Sequence, residues 1–92
     1  MADLERFRGH TFSVEMFNPK TEVAKVISIE SNGSKRWFDV WEDCSDTGEK
    51  RLLRGTDIDG CFEKLNTRVN ALRKKGFTIT RIDKIKKVNL PD

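Results

Sequence analysis

Residues 56–76, TDIDGCFEKLNTRVNALRKKG, hold the pattern that decides the fold. Ile58, Phe62, Leu65, Val69 and Leu72 recur at steps of four, three, four and three, which gathers them on one stripe of a 3.6-residue helix. The spacing predicts a helix over 57–75 whose apolar stripe faces a core. Thr56 is the expected N-cap, with Asp59 reaching back to it, and Asp57, Asp59 and Glu63 put negative charge at the positive end of the helix dipole. Arg73, Lys74 and Lys75 fill the last turn, and Gly76 stands where a left-handed residue ends helices. Gly60 is expected to cost the first turn about 1 kcal/mol relative to Ala.

After the helix, residues 77–82 alternate as a last strand, while Ile82, Ile85 and Val88 at spacing three suggest a short helical turn beyond Asp83, and residues 89–92 read as a tail. Before the helix, residues 11–17 alternate Phe12, Val14 and Met16 against Ser13 and Glu15, which predicts a first strand ended by Asn18-Pro19. Residues 22–30 form a second strand, and Asn32-Gly33 is the signature of a two-residue type I′ hairpin into a third strand over 35–42. In that register Ile27 opposes Phe38 and Ser28 opposes Trp37. Val23, Ile27, Ile29, Phe38 and Val40 then share one face, and Ala24, Val26, Trp37, Asp39 and Trp41 the other. The polar run 43–50 leads to a short fourth strand over 51–54. Residues 1–10 hold one helical turn, with Leu4 and Phe7 on one side to cover something. The expected fold is α+β: one domain over 1–92, an antiparallel sheet of four or five strands with one main amphipathic helix packed on one face.

The chain of 92 residues is 36% charged and 36% hydrophobic, enough for one modest core. No apolar run approaches the length of a bilayer crossing and MADLERFRGH lacks a signal-peptide core, so a cytoplasmic chain with no membrane partner is expected. Cys44 and Cys61 match neither a disulfide scaffold nor a CxxC site, and are expected as two reduced thiols. His10 is the only histidine, so no usual zinc spacing exists. Asp39, Glu42, Asp43, Asp46 and Glu49 read as a solvated acidic patch around the third strand and its turn, and Asp57-Ile58-Asp59-Gly60 falls short of a calcium loop. No nucleophile elbow, P-loop or dinucleotide fingerprint occurs. A non-enzymatic binding or regulatory module without metal or cofactor is expected.

Charge is polarised along the chain: residues 1–60 carry nine Lys/Arg against twelve Asp/Glu, and residues 61–92 carry nine against three. At 100° per residue, Lys64, Arg68, Ala71 and Lys75 fall on one flank of the helix. That ridge, with Arg81, Lys84, Lys86 and Lys87, is the candidate nucleic-acid-binding set. The alternative is a protein-interaction module, an adaptor or inhibitor. It would use the acidic patch or Trp37 and Trp41, with Lys35 and Arg36 beside them, and a homodimer through the Trp face is one form of it.

Overall fold

The computed structural model describes residues 4–33 and 36–88. After a 3-10 turn at Glu5–Phe7 come β1 (His10–Asn18), β2 (Val23–Ser31), β3 (Phe38–Cys44), β4 (Lys50–Thr56), helix α1 (Ile58–Lys74) and β5 (Thr78–Lys87). The strands form one antiparallel sheet in the order β4-β3-β2-β1-β5. The α+β architecture is thus the one expected, with five strands, and α1 lies across a single face between the two edge strands it connects.

Period-two patterning explains which face is covered. Phe12, Val14 and Met16 of β1, Ile27 and Ile29 of β2, and Phe38 and Val40 of β3 are all buried on the helix side. They meet Ile58, Cys61, Phe62, Leu65, Val69 and Leu72 from α1. The N-terminal segment closes the same layer, since Leu4 and Phe7 are buried and the Phe7 and Phe12 ring centroids lie 5.2 Å apart. Arg8 fastens it by bonding Glu63 at 2.6 Å with its guanidinium 4.4 Å from the Phe62 ring centroid.

Several boundaries differ from the sequence expectation. The helix N-cap is Asp57, not Thr56: its Oδ1 accepts the Gly60 N–H at 2.8 Å. A Cβ on Gly60 would lie 2.6 Å from Thr56 Cγ2 and 2.8 Å from the capping oxygen, so glycine there makes room for the cap. At the other end Gly76 is left-handed (φ 99°), its N–H donates to Arg73 O, and Phe77 N–H donates to Leu72 O, both at 3.1 Å. That Schellman pattern turns the chain and delivers buried Phe77 under the helix end.

The β2–β3 connection is not a two-residue hairpin; it runs from Asn32 to Trp37, with Gly33 at φ 93° and positions 34–35 outside the described residues. The register is shifted by four residues, so Glu42 opposes Ile27 and Trp41 opposes Ser28. An even shift keeps every side chain on its face, which is why the apolar alternation alone cannot distinguish the two registers. Reciprocal bonds select the observed one: Ser45 N–H donates to Ala24 O at 2.9 Å and Ala24 N–H to Ser45 Oγ at 2.8 Å. Beyond Asp83 the chain stays extended instead of making a helical turn. The three-residue spacing of Ile82, Ile85 and Val88 is absorbed by a bulge, where Thr11 pairs Lys86 and Phe12 pairs Lys84. The tail 89–92 lies outside the described residues.

Candidate functional site

The sheet face away from α1 is covered by neither the helix nor the N-terminal turn. Cross-strand register builds it row by row: Asp83, Ser13, Ser28, Trp41 and Leu52 in one row, and Arg81, Glu15, Val26, Asp43 and Lys50 in the next. With Glu30, Asp39 and Lys86 from the adjoining row, the face bears five carboxylates against three cations. Its apolar residues include Val26, Ala24, Phe17 and the half-buried Trp41, which stands beside Leu52, 50% exposed. Lys50 spans the indole, with Nζ 5.1 Å from the Trp41 ring centroid and 3.1 Å from Glu30 Oε2. Both partners of that ion pair are partly exposed to solvent, so the bridge over the indole is weakly held.

At the lower end of this face Ala24, Val26, Asp43, Cys44, Ser45, Gly48 and Glu49 line a pocket of about 280 Å³. The β3–β4 turn that forms it is closed by Gly48 N–H to Cys44 O at 2.9 Å. Backbone N–H groups of Thr47 and Asp46 point at the Cys44 sulfur and lower its pKa. Cys61 is the opposite case: burial pushes its thiol up to about 11, and its Sγ lies 3.4 Å from Phe38 O. Both cysteines are free.

The other candidate surface is the α1 flank facing β4 and β3. Here Glu42 departs from expectation: it is not part of the solvated acidic patch but lies on the helix face, 5% exposed, opposite Ile27 and Arg51. Arg68 forks onto it, Nη2 3.0 Å from Oε2 and Nε on Oε1, and Lys25 Nζ is 2.9 Å from Oε2. Burial pushes the Glu42 carboxyl up, but the bonds from Arg68 and Lys25 outweigh it and hold it at about 2.

The expected nucleic-acid set therefore does not assemble as one surface. Arg68 is committed to Glu42, while Lys64 on the same flank is half-buried, and Lys75 is the exposed C-cap. Arg81 sits on the opposite, open face between Asp83 at 2.9 Å and Glu15 at 3.9 Å. Lys84, Lys86 and Lys87 lie along edge strand β5, opposite Phe12, Thr11 and His10. Of the expected partner-binding group, Trp41 is on the open face as read, but Trp37 precedes β3 instead of standing two pleats away, and it is 53% exposed. Arg36 is exposed on the same connection, and Lys35 lies outside the described residues. Sequence reading missed Lys50, Arg51, Leu52 and Arg54, which the β3–β4 pairing sets opposite Asp43, Glu42, Trp41 and Val40.

Among the described residues no helix is long and apolar enough to cross a membrane, and no three His, Cys, Asp or Glu are grouped to hold a metal ion. By fold the chain is an α+β protein, and among the described residues no helix covers the second face of its sheet; compared with family models, curated proteins and solved structures, it matches none.

Proposed function

We propose that the protein is a non-enzymatic interaction module that docks another protein on its open sheet face. One observation supports this above others: the helix and the N-terminal turn both pack on the far side, leaving a face with Trp41 and Leu52 side by side on β3 and β4 and carboxylates around them. A small apolar patch bordered by charged groups is the composition of a recognition surface. An excess of acids on the face disfavours nucleic acid there and selects a partner whose apolar anchors are rimmed by Lys or Arg. The Lys50–Glu30 bridge is exposed and exchangeable, so an incoming side chain can displace it from the indole. The adjacent pocket beside Val26 accepts a second anchor.

The test is affinity capture from the native cell extract, with nuclease present, using wild type and the folded Leu52→Asp and Trp41→Ala variants as baits. The expected result is a protein held by wild type and lost from both variants, whose binding to the purified chain quenches or shifts Trp41 emission. Identical captures on all three baits would place the docking elsewhere. A concentration-dependent dimer in sedimentation that Leu52→Asp abolishes would identify a second copy as the partner.

A further inference from the structure

The β5 edge of the sheet has a chemistry that neither face shares. β5 pairs with β1 on one side, and among the described residues no strand pairs with its other side. Its last four residues, Lys84, Ile85, Lys86 and Lys87, are all exposed, Ile85 by 62%. Lys84 opposes buried Phe12 on the helix side of β1. The bulge leaves Ile85 without a β1 partner and reverses the alternation, so Lys86, opposite Thr11, belongs to the open side, and Lys87, opposite His10, to the helix side. Cations thus flank both faces of one backbone edge within about 10 Å of strand. Among the described residues none of these three lysines has an ion-pair partner.

The backbone ladder of an edge strand is completed by any extended segment that reaches it, and the flanking side chains decide which one does. Lysines along the edge repel a second copy of the same strand, and carboxylates on an incoming strand turn that repulsion into attraction. We infer that β5 receives an acidic, extended segment of another protein as a sixth strand. The segment's backbone pairs along residues 81–87, its carboxylates meet Lys84, Lys86 and Lys87, and an apolar residue within it covers Ile85. Because the cations stand on both faces, the segment is a run of acids, not an alternating pattern. Ile85 favours a peptide over a nucleic-acid backbone, since phosphates make no use of a large apolar side chain among the lysines, whereas a strand's own side chain covers it. The opposite edge is the poorer acceptor: β4 has seven residues, its Lys50 is held by Glu30, and Arg51 and Arg54 stand opposite Glu42 and Val40 on the helix side alone. Two strands, β2 and β1, separate β5 from Trp41 and Leu52, so the open face and this edge can each hold a partner.

The experiment compares wild type with two triple variants that remove the same charge from the two edges: Lys84, Lys86 and Lys87 to Ala, and Lys50, Arg51 and Arg54 to Ala. Fluorescence anisotropy is read at about 50 mM salt, where screening is weak, with a labelled peptide Asp-Glu-Glu-Val-Glu-Glu-Asp. The same peptide methylated on alternate backbone nitrogens keeps every charge but loses ladder donors; heparin and double-stranded DNA serve as other polyanions, and circular dichroism confirms the folds. Wild type is expected to bind the peptide, with amide hydrogen exchange slowed along β5 and unchanged along β4. The β5 variant should lose at least about tenfold in affinity, while the β4 variant stays within about threefold of wild type. Backbone methylation should also cost at least about tenfold. A methylated peptide bound as tightly as the parent would show that no strand is added, and equal losses in the two variants would take the site off β5. Heparin or DNA bound more tightly than the peptide would make the edge a general polyanion surface. Each of these results overturns the inference, as does a peptide that wild type does not bind. Failure of open-face docking leaves this edge untouched.

Discussion

At the scale of single residues, Glu42 shows how a side chain can change roles between sequence and fold. In the sequence it is one acid in an acidic run; in the sheet its parity turns it toward the helix, where Arg68 and Lys25 receive it. Removing a charge from water is costly unless it is paired and fully hydrogen-bonded, and two cations on one carboxylate meet that condition. The consequence is a measurable pH dependence. The carboxyl is held at about 2 in the fold, against an ordinary value of 4.5. A folded pKa below the unfolded one stabilises the protein fully above about pH 4.5, and that contribution is lost as pH falls toward 2. The difference corresponds to about 3 kcal/mol at neutral pH. Denaturant melts of wild type and Glu42→Gln are therefore expected to differ by about that amount at pH 6 and to converge near pH 2. Curves that stay parallel across this range would mean that the pair does not set the acid limb of stability.

At the scale of elements, the helix was the most legible part of the chain because its signals are local and agree. Its apolar stripe, acidic start, basic end and terminal glycine all lie within residues 56–76, and the structure gives Ile58–Lys74 with that stripe buried. Leu65 sits at the middle of the stripe with none of its surface exposed. Leu65→Ala is expected to destabilise by about 2–5 kcal/mol in urea or guanidinium melts, and a value below about 1 kcal/mol would contradict the packing. The strands were legible in number and face but not in register, since register depends on contacts between distant residues. Asn32-Gly33 indicated a reversal correctly placed in sequence but too tight by four residues. What decides the longer connection is Ser45 bonding Ala24 and Glu42 reaching Arg68, both invisible to a local pattern. The longer connection leaves Trp37 outside the strand, and the β3–β4 pairing sets Arg51 opposite Glu42 and Arg54 opposite Val40. The basic set read from helix periodicity and C-terminal composition is spread instead over several surfaces, with Arg68 on Glu42, Arg81 on the open face and Lys84, Lys86 and Lys87 along β5.

At the scale of the whole molecule, β4 and β5 form the two edges of the sheet, and among the described residues no further strand pairs with either, which makes each a template for pairing with another sheet. The two edges carry the same sign. β4 bears Lys50, Arg51 and Arg54 with no acid, and β5 bears Arg81, Lys84, Lys86 and Lys87 against Asp83 alone. Each is also bulged, at Leu53 in β4 and at Thr80 and Ile85 in β5. A β4-to-β5 contact between molecules would be head-to-tail, the kind of interface that builds rings or open filaments, and like charge on both edges opposes it at low ionic strength. Part of the basic charge along β5 thus has a reason independent of any ligand. Reversing it tests this directly: replacing Lys84, Lys86 and Lys87 by Glu changes β5 from an excess of three positive charges to three negative, complementary to β4. The variant is expected to form concentration-dependent, salt-reversible assemblies in light scattering and sedimentation under conditions where wild type does not, with the strongest effect below about 50 mM salt, where screening is weakest. Adding Arg51→Glu and Arg54→Glu should restore repulsion and return it to the wild-type state. If the charge-reversed variant stays as dispersed as wild type at the same concentrations, the bulges alone guard the edges, and the lysines of β5 would need another explanation.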